Sequence, residues 1–307
     1  MKSPLRKFSA APLLTALMVA ACGTGNSLTP PPGGGGGSGG VVPRLGHVVV
    51  VVEENTDYSS VIGNASMPYL NGLAREYALA ANYYANTHPS IGNYFMMTVG
   101  KIVSNNDSYS SVVTDDNIVR RLIAGGKTWK SYAEDLPSVG YTGGDVGLYA
   151  RKHNVIALLS DVVNDSTQRN NLVPFTQFAT DLAGGHLPGY AFVAPNLCND
   201  AHDCPLATAD QWLQTNIDPL VKSATFQRDG LLVIVFDEAG SDNMNGGGRV
   251  ACVIVSPKAK RGYQGAGVYE HQSLLRLSAE ALGLTALPNA AATAPEMGEF
   301  FSTTGTP

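Results

Sequence analysis

The segment ANTHPSIGNYFMMTVG, Ala85 to Gly100, places His88, Pro89 and Ser90 just ahead of an apolar run through Phe95, Met96 and Met97. The run reads as a buried helix, so Ser90 stands at its N-terminal turn. Free N–H groups and the positive end of the helix dipole gather there. A serine in that position is either a helix cap or a nucleophile that attacks an anionic centre. Asn93 follows one turn later. Four other segments carry acids or histidines: Glu53-Glu54-Asn55, then Asp200 with His202 and Asp203, then Asp237-Glu238, and finally His271. Carboxylates brought together repel one another unless a cation or shared protons compensate. His153, in RKHN, is a further candidate.

The elements that must position these residues follow from hydrophobic pattern. LGHVVVVVEEN is a continuous β-branched run ending in acids, the signature of a central strand buried on both faces. ANYYA, KTWKSYAE, PGYAFVAPN, GLLVIVFDEAG and RVACVIVSP read as further strands. SMPYLNGLAREYALA reads as a helix capped by Ser66, and DNIVRRLIAGG as a helix closed by glycine. TADQWLQTNIDPLVKSA and EHQSLLRLSAEALGL are helices as well. This alternation predicts an α/β fold: a mostly parallel central sheet with helices on both faces. In such sheets ligands bind beyond the carboxyl ends of the strands, where the acids fall. The tail after Leu287 shows little pattern and is expected to run over the surface.

The N-terminus bears on the compartment. Lys2, Arg6 and Lys7 precede AAPLLTALMVAA, a short apolar core of signal-peptide type. VAAC, Val19 to Cys22, resembles a bacterial lipobox, which implies lipidation of Cys22; the competing reading is a plain secretory signal. LTPPPGGGGGSGG has almost nothing to bury and reads as a tether, of about 25 Å r.m.s. reach for about 20 flexible residues. The expected organisation is therefore a lipoprotein signal peptide at 1–21, a tether at 22–44, a catalytic domain at 45–288 and a tail at 289–307. That makes it an exported bacterial lipoprotein, membrane-anchored, periplasmic or at the cell surface. Outside a reducing cytosol, Cys198 and Cys204 are expected to form a disulfide. The alternative is a zinc site of both thiols with His202. Cys252, in VACVIVSP, reads as a buried free thiol.

Composition narrows the class. The 307 residues are 44% hydrophobic and 15% charged, with 34 Gly and 18 Pro, enough for a large core and many loops. A formal net charge of −5 gives no sign of a nucleic-acid partner. Oligomeric state is not legible.

VVEENTDYSSVIG, THPSIGNY, PNLCNDAHDC, FDEAGSD and YEHQSLLRLSAEALGL, in that order, resemble the bacterial phosphoesterase family of acid phosphatases and phospholipases C, within the alkaline-phosphatase-like superfamily. YAEDLPSVG and YARKHN are similar to the small secreted mycobacterial-type acid phosphatases. The resemblance runs from about Gly46 to Leu284. It implies an alkaline-phosphatase-like fold and a phosphoseryl mechanism with Ser90 as nucleophile. It sets Asn93 against a phosphoryl oxygen. Glu54, Asn55, Asp200, Asp237 and Glu238 would surround a divalent metal of unknown identity. His202 and His271 would serve acid–base chemistry, and His153 and His88 would contact substrate. Many superfamily members have Asp-His where this chain has Asp237-Glu238, which weakens the case for two zinc ions.

A phosphate monoester agrees with the residues themselves. Its transition state disperses negative charge, and an acid-rich pocket accepts it only with a metal or at acid pH. Two other readings remain: a phosphodiesterase or phospholipase C on the same site, and a non-catalytic surface lipoprotein that binds metal or phosphate. Among the lesser residues, His47 reads as structural and His186 as a surface residue. Asp203 reads as a cap of its own ring, and Glu53 as pointing away from Glu54 because strand side chains alternate.

Overall fold

The computed structural model describes residues 40–302. Its strands are β1 His47–Glu53, β2 Ala78–Tyr84, β3 Trp129–Ala133, β4 Leu172–Pro174, β5 Tyr190–Ala194, β6 Gly230–Phe236, β7 Cys252–Val255 and β8 Tyr263–Glu270. They form one eight-stranded sheet in the order β4-β3-β5-β1-β6-β7-β2-β8. Val48 to Val51 pair in parallel with β5, and all of β1 pairs in parallel with β6. Only β7 is antiparallel, to β6 on one side and β2 on the other. The valines of β1 are buried throughout, as a strand covered on both faces requires.

The helices are α1 Tyr58–Val61, α2 Pro68–Glu76, α3 Ile91–Thr98, α4 Ile118–Ala124, α5 Ser160–Val163, α6 Ser166–Arg169, α7 Thr176–Ala183, α8 Leu206–Asn216, α9 Asp218–Lys222, α10 Ala224–Asp229 and α11 His271–Ala281. α3, α4, α5 and α11 pack with one another on one layer; α2, α8, α9 and α10 form the other. Among the described residues no helix is long and apolar enough to cross a membrane.

The elements differ from the sequence expectation in several places, and the short helices α1, α5, α6, α7 and α10 were not expected. Ser66 does not cap α2: Met67 occupies that position and Pro68 opens the helix. The free N–H groups of Tyr69 and Leu70 go instead to the Asp210 carboxylate on α8, each at 2.9 Å. The single helix expected over TADQWLQTNIDPLVKSA breaks ahead of Pro219, which cannot donate to a continuing helix. β4 and β8 were not expected as strands. The tail is not a surface wrap, since Met297, Phe300 and Phe301 are fully buried. Glu299 fastens it, accepting from the hydroxyls of Tyr263 (2.9 Å) and Tyr269 (2.7 Å).

The chain enters the domain at the N-terminal ends of the strands. Leu45 N–H donates to Ala281 O at the end of α11, and Gly46 N–H to Asp229 O just before β6. The opposite rim, at the carboxyl ends of β1, β5 and β6, gathers Glu54, Asp200 and Asp237.

Candidate active site

Two strand ends are lashed together first. Asp237 N–H donates to Glu53 O at 2.9 Å. Asn55 takes a left-handed backbone (φ 50), which Asn tolerates, and its N–H reaches Asp237 Oδ1 at 3.1 Å. The same oxygen accepts Glu238 N–H at 2.6 Å, while Asp237 Oδ2 is buried without a partner. The Asn55 amide donates to Glu54 Oε2 at 3.3 Å, at the edge of the acid cluster.

α3 brings the hydroxyl. Ser90 is buried and makes no cap hydrogen bond. Its Oγ donates instead toward Glu54 Oε2 (3.0 Å) and Glu238 Oε1 (3.2 Å). Tyr94, one turn along the same helix face, donates its hydroxyl to Glu54 Oε1. His88 pairs with Glu238 Oε2 at 2.6 Å through Nδ1, and its Nε2 lies 3.2 Å from Asp242 O. It is half-buried beside the carboxylate that Ser90 also contacts.

The turn Arg151–His153 supplies the third side. His153 is buried, stacked on Tyr94 at 5.1 Å. Its Nε2 is 3.2 Å from Glu54 Oε1 and its Nδ1 3.2 Å from Asp200 Oδ2. Neither contact has hydrogen-bond geometry, so both ring nitrogens and Asp200 Oδ2 lack partners. His202 stands at the mouth, with Nδ1 2.7 Å from Asp203 Oδ1 and Nε2 3.5 Å from Lys152 Nζ. Its N–H donates to Asp200 Oδ1 at 2.8 Å. The Cys198–Cys204 disulfide, with Cα atoms 4.6 Å apart, closes this loop and removes the zinc alternative for the pair. Cys252 is a buried free thiol.

Two expected site residues do other work. Asn93 has its polar atoms engaged with the backbone. Oδ1 accepts N–H groups of Asn86 (3.0 Å) and Thr87 (3.2 Å), and Nδ2 donates to Thr87 O (2.8 Å). It therefore shapes the loop leading to Ser90 through these three bonds. His271 is fully buried at the start of α11, its Nε2 2.6 Å from Asp237 O and its Nδ1 3.1 Å from the Tyr83 hydroxyl. Burial pushes it down to about 4, so it is a neutral imidazole that positions the Asp237 turn, not an acid–base group facing the centre. Tyr94, Lys152 and Asp107 are site neighbours that sequence reading missed. Tyr94 was findable, four residues beyond Ser90. Asp107 carried no signal.

The electrostatics explain what the cluster needs. Burial, then Asp237 and Asp200, holds Glu54 well above the usual carboxylate range. Burial, then Glu238, does the same to Asp237. Burial raises Glu238 and pushes Asp200 up to about 7. Glu53 points away from Glu54, fully buried and unpartnered; burial, then Asp200, raises it strongly. Burial, then Lys152, keeps His153 neutral, the form in which imidazole ligates metal. One ligand atom each from Glu54, His153 and Asp200 lies within 4.8 Å of the others. With the orphaned Asp237 Oδ2 nearby, this buried set of oxygens and one imidazole fits a divalent cation. His153 thus joins the possible ligands, where sequence reading had placed it on the substrate.

The fold and the family agree. The lipoteichoic acid synthase LtaP from Listeria monocytogenes superposes with a TM-score of 0.56 at 12% identity, covering 82% of this chain and 76% of its own. A phosphonate monoester hydrolase of Agrobacterium radiobacter gives 0.55 at 14%, covering 86% and 78%. At such identities these two share the fold alone. The phosphatidylinositol-3-phosphatase of Mycobacterium tuberculosis is 35% identical over 206 residues, 66% of this chain and 67% of the relative. An acid phosphatase of Aspergillus fumigatus is 31% identical over 246 residues, 76% of this chain; the chain spans 54% of that relative. The Phosphoesterase family model matches residues 64–285, a span that holds Ser90, His153, Asp200, Asp237 and Glu238 and begins just after Glu54 and Asn55. On that span and these identities, the chain belongs to the Phosphoesterase family.

Proposed function

We propose that the protein hydrolyses phosphate monoesters through a phosphoseryl intermediate at Ser90. The observation that carries this reading is the direction of Ser90 Oγ, turned from its own helix toward Glu54 and Glu238. Glu238 accepts the hydroxyl proton as the Oγ–P bond forms and the bond from phosphorus to the leaving oxygen breaks. His202, at the mouth, gives the departing alcohol its proton. Water then attacks phosphorus, its proton passing to His202; the P–Oγ bond breaks and Oγ recovers its proton from Glu238. The products are an alcohol and inorganic phosphate. A divalent cation held by Glu54, His153, Asp200 and Asp237 would neutralise the carboxylates and the charge gathering on the phosphoryl group. The activities for which the relatives are named, acid phosphatase and phosphatidylinositol-3-phosphatase, support a monoester substrate.

A chromogenic phosphate monoester, assayed from pH 4 to 8 with and without chelator, tests the reading. Turnover that falls with chelator, with phosphoserine at residue 90 after acid quench, is the expected result. No turnover under any condition would overturn it, and a marked preference for a diester would move the protein to the phosphodiesterase class.

We also propose export and anchoring through a lipidated Cys22; residues 1–39 lie outside the described part of the chain. The support is the VAAC sequence after an apolar core. Cys22→Ala is expected to leave the protein unprocessed or released from membranes. A wild-type protein found without lipid and cleaved elsewhere would refute this.

A further inference from the structure

Lys152 is the ammonium group that faces the acid cluster. Its side chain is only 17% exposed, with Nζ 3.2 Å from Asp107 Oδ2 and 3.5 Å from His202 Nε2. Asp107 comes from the segment after α3 and folds back over that helix. Its Oδ1 accepts the N–H of Ile91, the residue after Ser90, at 3.2 Å. The segment rests on the first turn of α3. Asn105 Nδ2 donates to Thr87 Oγ1 at 2.9 Å, and a Cβ on Gly92 would come within 2.2 Å of Asn105 Oδ1. One carboxylate thus bridges the first N–H after the nucleophile and the cation of the neighbouring turn. Those are the partners an anion takes at a helix N-terminus beside a lysine. His153, the next residue, turns its ring nitrogens to Glu54 and Asp200, so the seat lies directly beside the carboxylate cluster.

We propose that Lys152 Nζ and Ile91 N–H seat the non-reacting phosphoryl oxygens of the substrate, and that Asp107 fills this seat until substrate displaces it. This rests on the monoester reading above. The phosphoryl group replaces a carboxylate of the protein itself, so part of its binding energy goes to moving Asp107. A dianionic monoester competes with that carboxylate better than a monoanionic diester does. The pair therefore acts as a filter for monoesters.

The test compares wild type with Lys152→Gln, Lys152→Arg and Asp107→Asn. It measures kcat and KM on a chromogenic monoester and diester, the inhibition constant of inorganic phosphate, and thermal melting, under one fixed cation supply. Lys152→Gln is expected to raise the phosphate inhibition constant and the monoester KM by about 10–100-fold, the scale of one charge-assisted hydrogen bond. The diester KM should move less, and Lys152→Arg should recover most of the loss. Asp107→Asn keeps an oxygen for Ile91 but drops the charge, so it should lower the phosphate inhibition constant about 3–10-fold. An unchanged phosphate constant in Lys152→Gln, or a higher one in Asp107→Asn, would overturn the proposal. Should the wild type hydrolyse no ester, the monoester reading falls alone. Calorimetric binding of inorganic phosphate to the same four proteins then decides the seat.

Discussion

Ser90→Ala is expected to lower turnover of a phosphate monoester by about 10⁴–10⁶-fold, the scale seen when a covalent nucleophile is removed. The melting temperature should hardly move. Ser90 makes no cap hydrogen bond, so the ordinary cost of losing a cap does not apply. What disappears is one donor shared between Glu54 and Glu238, and the change should stay within about 1 kcal/mol. Ser90→Asp is the sharper contrast. It sets a further carboxyl between two carboxyls already raised by burial, and should be both inactive and less stable. A Ser90→Ala protein that keeps more than a few per cent of wild-type turnover would remove Ser90 from the chemistry.

The second large effect is on stability against pH. Glu53, Glu54, Asp200, Asp237 and Glu238 all bind protons more tightly folded than unfolded. Folding then takes up protons above the unfolded value of about 4, and stability falls as pH rises, for Asp200 until about 7. His153 and His271 act oppositely, losing stability as pH drops below about 6.5, for His271 until about 4. Five carboxyls outweigh two imidazoles. Chelated protein is therefore expected to melt about 5–10 °C higher at pH 5 than at pH 8, a net of about 2–3 kcal/mol. A divalent cation should recover most of the difference, acting more strongly at pH 8, where the ligands are ionised. Equal melting temperatures at the two pH values in chelator, or a higher one at pH 8, would show that the cluster is not strained by its charge.

Much of the frame was legible because burial writes itself into composition. β1 and β6 are unbroken apolar runs, and the acids beyond them had to emerge at one rim of a parallel sheet. β7 reads the same as its neighbours, and nothing in CVIV reveals that it runs the other way. β8 was missed because an edge strand with two glycines alternates only partly, and its packing partner is the distant tail residue Phe300. Within the site, residue types were legible but side-chain direction was not. His271 and Asn93 are the right kinds of residue, yet their hydrogen bonds point into the scaffold. His153 was visible as a candidate, but its place between Glu54 and Asp200 depends on three segments meeting. Asp107 reaches Lys152 only because the chain doubles back over α3.

Leu45 and Gly46 dock beneath the sheet, at the far end of the same strand that delivers Glu54. A bead, electrode or fusion partner joined ahead of residue 40 therefore holds the domain by its base. Grafted that way, each molecule turns its reactive mouth outward, and a dense coating remains open to solution from above. A handle on the loop around Met244, which stands exposed beside the carbonyl that His88 touches, would do the reverse and shade the entrance.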